Sequence, residues 1–458
     1  MPKKLNRQTV SAPKRPIRIL QFGEGNFLRA FCDWMVDILN EKTGFNGNVK
    51  IVQPIAVGMG AIINSQEGLY HVVLNGKNTM EDRLVTCVDS VINPYDDYAN
   101  FLALAENPDL QFVFSNTTEA GIAFNENDTT PERLPDSFPG KVTALLLRRY
   151  KTLPEKGLTF LPCELIEKNG STLKSVVHQY IDLWKLPADF KNWVDTNVHF
   201  CNTLVDRIVP GFPKENIHEI HRRTGFEDNL AVMAEPFHLW VIEAPESVRK
   251  TLPLEQAGLQ VKFVPDLSPY RTRKVRILNG AHTTLVPVAY LKGLRTVRES
   301  VEDKEVGDYL MNAIHEEIIP TLDLPKEELV RFADEVMERF ANPYIKHELS
   351  SIALNSISKY KVRVLPSVLT YIELKKQVPK RLLYSLAALI KFYKGEGRPV
   401  NDTPEVLEFF KQAWASNDAV YASKLILGNV DFWGVDLNTV PGVSKEVTEH
   451  LLVLNDKS

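Results

Sequence analysis

Up to about residue 265 the 458-residue chain alternates short apolar runs with stretches of helical periodicity, and from Arg271 onward the pattern is almost wholly helical. No other feature restricts the possible folds so sharply. IRILQF (17–22), KIVQPIAVG (50–58), LQFVFSNTT (110–118) and GLTFLPCEL (157–165) have the length and composition of buried strands. LYHVVLNG and RLVTCVDSV alternate like an antiparallel pair. Between the strands lie helical stretches such as KVTALLLRRYKTL and STLKSVVHQYIDLWKL. Strands alternating with helices, then helices alone, predict an α/β domain over 16–268 and a mainly α-helical domain over 269–458. The boundary falls in the proline-bearing PDLSPYR, and residues 1–15, MPKKLNRQTVSAPKR, read as a disordered leader.

Several function classes drop out on composition. Hydrophobic residues make up 44% and charged residues 24%, an ordinary globular balance; the net charge of -4, with both signs interspersed, gives no basic stripe for nucleic acid. No apolar run is long enough to cross a membrane, and the basic leader lacks the apolar core of a secretory signal. The four cysteines are scattered without a CxxC pair, and the ten histidines show no ligand spacing. The expectation is therefore no metal and a cytoplasmic location. Nothing in the sequence specifies an oligomeric state.

IRILQFGEGNFLRAF is a strand, a G-x-G turn and a helix start. Gly23 and Gly25 permit a tight turn and close backbone approach, and the helix N-terminus offers N–H groups to a pyrophosphate. The first domain is thus expected to be a Rossmann-like dinucleotide-binding domain, with Asn26 and Phe27 beside the cofactor. The third fingerprint position is Leu28 rather than glycine, so a plain turn competes with this reading. Arg29 is either a phosphate contact or a solvated helix residue. No acid stands between Val52 and Gln66 to bind the adenosine ribose, which leaves Gln53 as the one polar side chain there able to reach a hydroxyl.

In the second domain RKVRILNGAH (273–282) sets Lys274, Asn279 and His282 at offsets of five and three. On an ideal α-helix Asn279 and His282 lie about 60° apart, and Lys274 begins about 7.5 Å of rise before Asn279. The spacing permits a constellation. It equally permits a surface lysine, a helix-interior asparagine and a satisfied core histidine. The chemistry favours the constellation, because transferring a hydride to a ketone requires a proton donor for the developing alkoxide and amides to hold that oxygen. A desolvated lysine and an asparagine supply these without a metal.

K-x4-N-x2-H resembles the signature of the polyol-specific long-chain dehydrogenases, the mannitol dehydrogenase family. FGEGNFLRAF, SNTTEAGIAF (115–124), KNG (168–170), NTLVDRIVP (202–210), AEPFHLWVIE (234–243) and NPYI (342–345) agree with it in order, over nearly the whole chain. The resemblance implies NAD(H), Lys274 as general acid/base, Asn169 and Asn279 as oxyanion hole, and His282 on the substrate. After the cysteine of PCELIEKNG, Glu164 and Leu165 replace the acid–asparagine pair of mannitol-type members, which puts the alignment of Asn169 in question. Thr117 and Glu119 are candidate cofactor contacts, and a polar strand end is also an ordinary helix cap.

PCELIEKNG, SNTTEAG and NPYIKHELSSIALNSISKYKVRVLPS are most similar to the tagaturonate-reducing branch of that family. The implied reaction is reversible NADH-dependent reduction of D-tagaturonate to D-altronate, in hexuronate catabolism. A uronate carboxylate requires a fixed cation; Ser351 stands where mannitol-type relatives carry arginine, so Lys359 and Arg363 are the candidates, with His347 weaker and a solvated basic face the competing reading. Asp206 is a further substrate candidate, and Arg207 is expected to be structural. Fructuronate, mannitol or mannitol 1-phosphate are alternative substrates, and a non-catalytic nicotinamide-binding regulator is the alternative of another class.

Overall fold

The computed structural model describes residues 2–456 except 78, 119, 397 and 398, so Glu119 lies outside the described residues. The chain divides into two compact units, Met1–Leu267 and Ser268–Ser458.

The first unit is built on six parallel strands: β1 (Ile17–Phe22), β2 (Asn48–Val52), β3 (Val88–Ile92), β4 (Phe112–Ser115), β5 (Thr159–Pro162) and β6 (His199–Phe200). Their order across the sheet is β3-β2-β1-β4-β5-β6. This is the doubly wound dinucleotide-binding order, whose ligand crevice opens where the order reverses, beyond the C-terminal ends of β1 and β4. Period-two alternation sorts the side chains onto two buried faces. Ile19, Ile51 and Phe114 pack with Phe31, Met35 and Leu39 on one face. Leu20, Phe22 and Val113 pack with Val142, Leu145 and Leu173 on the other.

Three expectations are corrected here. KIVQPIAVG stops being a strand at Val52; Pro54 has no N–H to give a ladder, and Ile55 and Val57 stand exposed on a loop. RLVTCVDSV is two strands rather than one: Met80–Val85 pairs antiparallel with Tyr70–Asn75, whereas β3 joins the parallel sheet. The break falls at Thr86, whose N–H and Oγ1 both donate to Asp37 Oδ1 at 2.9 Å. The leader is ordered from residue 2: Lys3–Lys4 pairs with Phe226–Glu227, Leu5 is fully buried, and Arg7 Nη2 donates to Val88 O at 2.9 Å.

The second unit is helical throughout its regular structure. Gly280–Leu291 is apolar nearly all round and packs against Lys380–Phe392 and Ser356–Arg363. Val443–Asp456 covers Lys380–Phe392 from another side. Among the described residues no helix is long and apolar enough to cross a membrane.

Candidate active site

In the first unit the glycine turn leaves β1 at the switch point. Gly23 has φ 122, and a Cβ there would sit 3.2 Å from the Asn116 carbonyl oxygen, so only glycine lets the turn pass the end of β4. A Cβ on Gly25 would meet nothing within 4 Å. The space over the helix start is open, a cradle that fits the pyrophosphate of a dinucleotide. Leu28, at the third fingerprint position, is buried and reaches Gly23 with its side chain.

The helix that follows runs through Asn26–Leu28, a π-turn over Arg29–Asp33, and Trp34–Thr43, ending at the left-handed Gly44. Arg29 is neither a phosphate contact nor solvated. It is 1% exposed and donates from Nε to Glu24 O, from Nη1 to Leu230 O and from Nη2 to Asn26 Oδ1, at 3.1, 2.6 and 2.7 Å. The bond from Arg29 fixes the Asn26 amide, whose N–H groups can be offered to a ligand. Phe27 stacks half-buried on Phe31 at 5.0 Å. Behind the turn, Tyr70 OH and Gln21 Nε2 donate to Asp33 Oδ2, yet burial lifts the Asp33 carboxyl to about 7.

Gln53 does not reach outward. Its Nε2 donates to Ile55 O and Ala56 O at 2.8 and 3.1 Å, and its Oε1 accepts from Gly60 N at 3.3 Å. The ribose role expected for it is therefore not supported, since its hydrogen-bonding capacity is spent on its own loop. Thr117, at the end of β4, is fixed by Glu164: Thr117 N and Oγ1 donate to Glu164 Oε1 at 2.9 and 3.0 Å, and Ser115 Oγ donates to Oε2 at 3.0 Å. Glu164 is buried, and desolvation raises its pKa. Sequence reasoning met it as half of a substituted pair and missed its role as the clamp between the ends of β4 and β5. An acid two residues past the end of a buried strand, in Pro-Cys-Glu, was the available signal.

Asn169 begins the helix Asn169–Leu183 and is 1% exposed. Its Nδ2 donates to Pro162 O, Glu164 O and Thr203 O at 2.9, 3.1 and 3.1 Å, and its Oδ1 accepts from the N–H groups of Gly170 and Thr203. Two amide hydrogens already serve three carbonyls, so the oxyanion role implied by resemblance does not fit this geometry. Asp206 closes the strand Asn202–Asp206 and is buried. Arg207 donates to Glu235 O and Ala30 O and lies 4.2 Å over the Trp34 ring, with burial pushing its pKa down to about 9. That is the structural part expected of it.

In the second unit Ser268–Arg273, Lys274–Asn279 and Gly280–Leu291 form one run of helix, and the middle piece is a π-turn. Gly280 N donates to Val275 O, the five-residue bond that defines the turn. Lys274 and Asn279 are its two ends, both half-buried. One α-turn on, His282 is 9% exposed; its ring stacks on Phe340 at 4.2 Å and meets His347 edge-on at 5.0 Å. Burial first, then His347, Arg339 and Arg363, hold its pKa well below the usual value. It is neutral at pH 7, and its Nε2 is buried with no hydrogen-bond partner among the described residues.

Gly280 brings Arg363 to the same place: a Cβ on the glycine would sit 3.1 Å from the Arg363 carbonyl oxygen. Lys359, one turn before Arg363, donates from Nζ to Ile352 O at 2.8 Å, and burial, then Arg363, lower its pKa. Lys274, Asn279, His282, Lys359 and Arg363 thus belong to two helices packed on one another, with His347 beside them.

A glycine turn at the switch point of a parallel sheet, and a lysine–asparagine–histidine set in a separate helical unit, fit a nicotinamide-dependent oxidoreductase acting on an alcohol or ketone. The chain belongs to the mannitol dehydrogenase family: residues 17–256 match its Rossmann domain and 266–455 its C-terminal domain. It is 47% identical to the altronate oxidoreductase of Phocaeicola vulgatus, over 99% of this chain and 98% of that protein. To the altronate oxidoreductase of Bacillus subtilis it is 46% identical, over 95% and 92%. Among solved structures its fold is similar to that of a substrate-free D-sorbitol dehydrogenase (TM-score 0.84, 23% identity, 99% of this chain and 97% of that one). It is also similar to Pseudomonas fluorescens mannitol 2-dehydrogenase in complex with NAD and D-mannitol (TM-score 0.70, 22% identity, 99% and 97%).

Proposed function

We propose that this protein catalyses the reversible, NADH-dependent reduction of D-tagaturonate to D-altronate in the cytoplasm. The observation that carries the reading is near-full-length identity of 42–47% to proteins named altronate oxidoreductase, in a chain that keeps the lysine, asparagine and histidine on one helix. The glycine turn with Gly23, Gly25, Asn26 and Phe27, and the strand end with Thr117, hold the dinucleotide. When bound, NADH supplies the hydride. Lys274 gives a proton to the ketone oxygen, Asn279 donates to that oxygen as charge develops on it, and neutral His282 orients a neighbouring hydroxyl. Arg363, with Lys359, holds the uronate carboxylate. Asp206 is a further substrate contact, and Asn169 braces the loop after β5.

A steady-state panel of tagaturonate, fructuronate, fructose and fructose 6-phosphate, each with NADH and NADPH and followed at 340 nm, tests the reading. Tagaturonate with NADH should give the highest kcat/KM. A higher value for another substrate moves the protein to another branch of the family. No turnover with any of them, with NADH binding indifferent to Lys274→Ala, marks a nicotinamide-binding regulator.

A further inference from the structure

In a sheet of this order the adenosine ribose is held beyond the C-terminal end of β2, ordinarily by an acidic side chain from that strand's own end. Here β2 ends at Val52, no acid follows until Glu67, and Gln53 is consumed by its loop. One carboxylate nevertheless reaches the place. Glu24, between the two glycines of the β1 turn, crosses to the loop after β2, where its Oε1 accepts from Met59 N at 3.2 Å. The loop is shaped around it: a Cβ on Gly58 would lie 2.0 Å from Glu24 Oε1. Arg29 Nε donates to the Glu24 carbonyl oxygen, which fixes the backbone from which the side chain departs. The backbone of Glu24 is thus pinned by Arg29 and its carboxylate by Met59 N, at the junction of β1 and β2, with the residue 8% exposed.

Resting on the NAD(H)-dependent reading above, we propose that Glu24 selects NAD(H) over NADP(H), its carboxylate accepting a hydrogen bond from the ribose 2′-hydroxyl and repelling a 2′-phosphate. The selecting acid has moved from the end of β2 into the glycine turn, where a side chain between two glycines points at the neighbouring strand end. The competing role is a plain brace for the 53–60 loop.

Direct binding separates the two. NADH and NADPH are titrated into the intact protein, with quenching of tryptophan fluorescence giving Kd for the wild type, Glu24→Gln and Gln53→Ala. Glu24→Gln keeps an acceptor for Met59 N and therefore the loop. It should weaken NADH about tenfold, the worth of a charge-assisted hydrogen bond, and tighten NADPH, collapsing the preference. Gln53→Ala, which loosens the same loop and leaves the carboxylate, should weaken both nucleotides alike and keep the preference. Parallel losses for the two nucleotides in Glu24→Gln would make Glu24 a brace and overturn the proposal. So would a wild type that binds NADPH as well as NADH, with the functional reading untouched. A wild type that binds neither nucleotide sinks the functional reading and this one with it.

Discussion

Lys274 and Asn279 are the first and last residues of one π-turn. On an α-helix a five-residue offset turns two side chains about 140° apart. In a π-turn the same offset is the hydrogen-bonded repeat, so ammonium and amide come back to one side of the helix. The turn thus groups two residues that α-geometry would separate, the pair to which the proposed function gives the proton and the oxyanion hydrogen bond.

Lys274→Ala should lower kcat by about 10²–10⁴-fold, the usual contribution of a positioned general acid, while the Kd for NADH stays close to wild type. Stopped-flow reduction of tagaturonate with a parallel fluorescence titration checks both. Near-normal turnover would remove the lysine from the mechanism.

The two asparagines should separate cleanly. Asn279, whose side-chain amide makes no hydrogen bond to another described residue, should cost about 10²–10³-fold in kcat on truncation to alanine, with the melting temperature unchanged. Asn169→Ala takes the side-chain acceptor from two N–H groups and a donor from three carbonyls inside the first unit, of which Pro162 O and Glu164 O keep other donors in Thr203 Oγ1 and Ile166 N. It should cost about 3 kcal/mol of stability while the folded fraction keeps its kcat. Calorimetry alongside kinetics of both variants gives the answer, and a kcat collapse in a stable Asn169→Ala would restore that residue to the oxyanion hole.

Glu164→Ala removes the acceptor for Ser115 Oγ, Thr117 N and Thr117 Oγ1 together. The expected loss is about 3 kcal/mol in urea unfolding, with weaker NADH binding because the end of β4 is released. Glu164→Gln should be far milder: one oxygen still accepts from Thr117, and the Ser115 hydroxyl can rotate to accept from the new amide.

Asp33 and His282 tilt stability with pH in opposite senses. The Asp33 carboxyl titrates at about 7 when folded and near 3.9 when unfolded, so keeping it buried costs nothing below pH 4 and progressively more up to pH 7. Asp33→Asn should therefore stabilise the protein at pH 8, by at most about 4 kcal/mol, and do little at pH 4. His282 is held neutral, so its penalty begins as pH falls below the unfolded value near 6.5 and grows with further acidification. His282→Gln should flatten the acid side of the urea-midpoint profile. A slope unchanged in both variants would place the titrating groups elsewhere.

Much of the fold was legible because period-two and helical patterns record burial directly. β1, β4 and β5 and the helices after residue 271 are runs whose burial face is written in their spacing. The lysine, asparagine and histidine were legible as chemistry but not as geometry, because a π-turn leaves no periodic mark over five residues. Arg29, Glu164 and Gln53 escaped for a different reason. Pattern reading sends charged and polar side chains to the surface, but Arg29 and Glu164 are buried against backbone groups from distant segments and Gln53 against the backbone of its own loop. The ordered leader escaped similarly, since its anchor at Phe226–Glu227 lies more than two hundred residues downstream.

The bare α-carbon of Gly280, seated against the last carbonyl of the Ser356–Arg363 helix, has an evolutionary corollary. On the proposed function, the segment that would read the acid group of the sugar leans directly on the one that would protonate its ketone. A lineage that exchanges one sugar for another must redesign the first without disturbing the second, and a methyl group at position 280 would pry them apart. Changes of diet in this family should therefore accumulate along the 351–363 stretch while the glycine stays fixed.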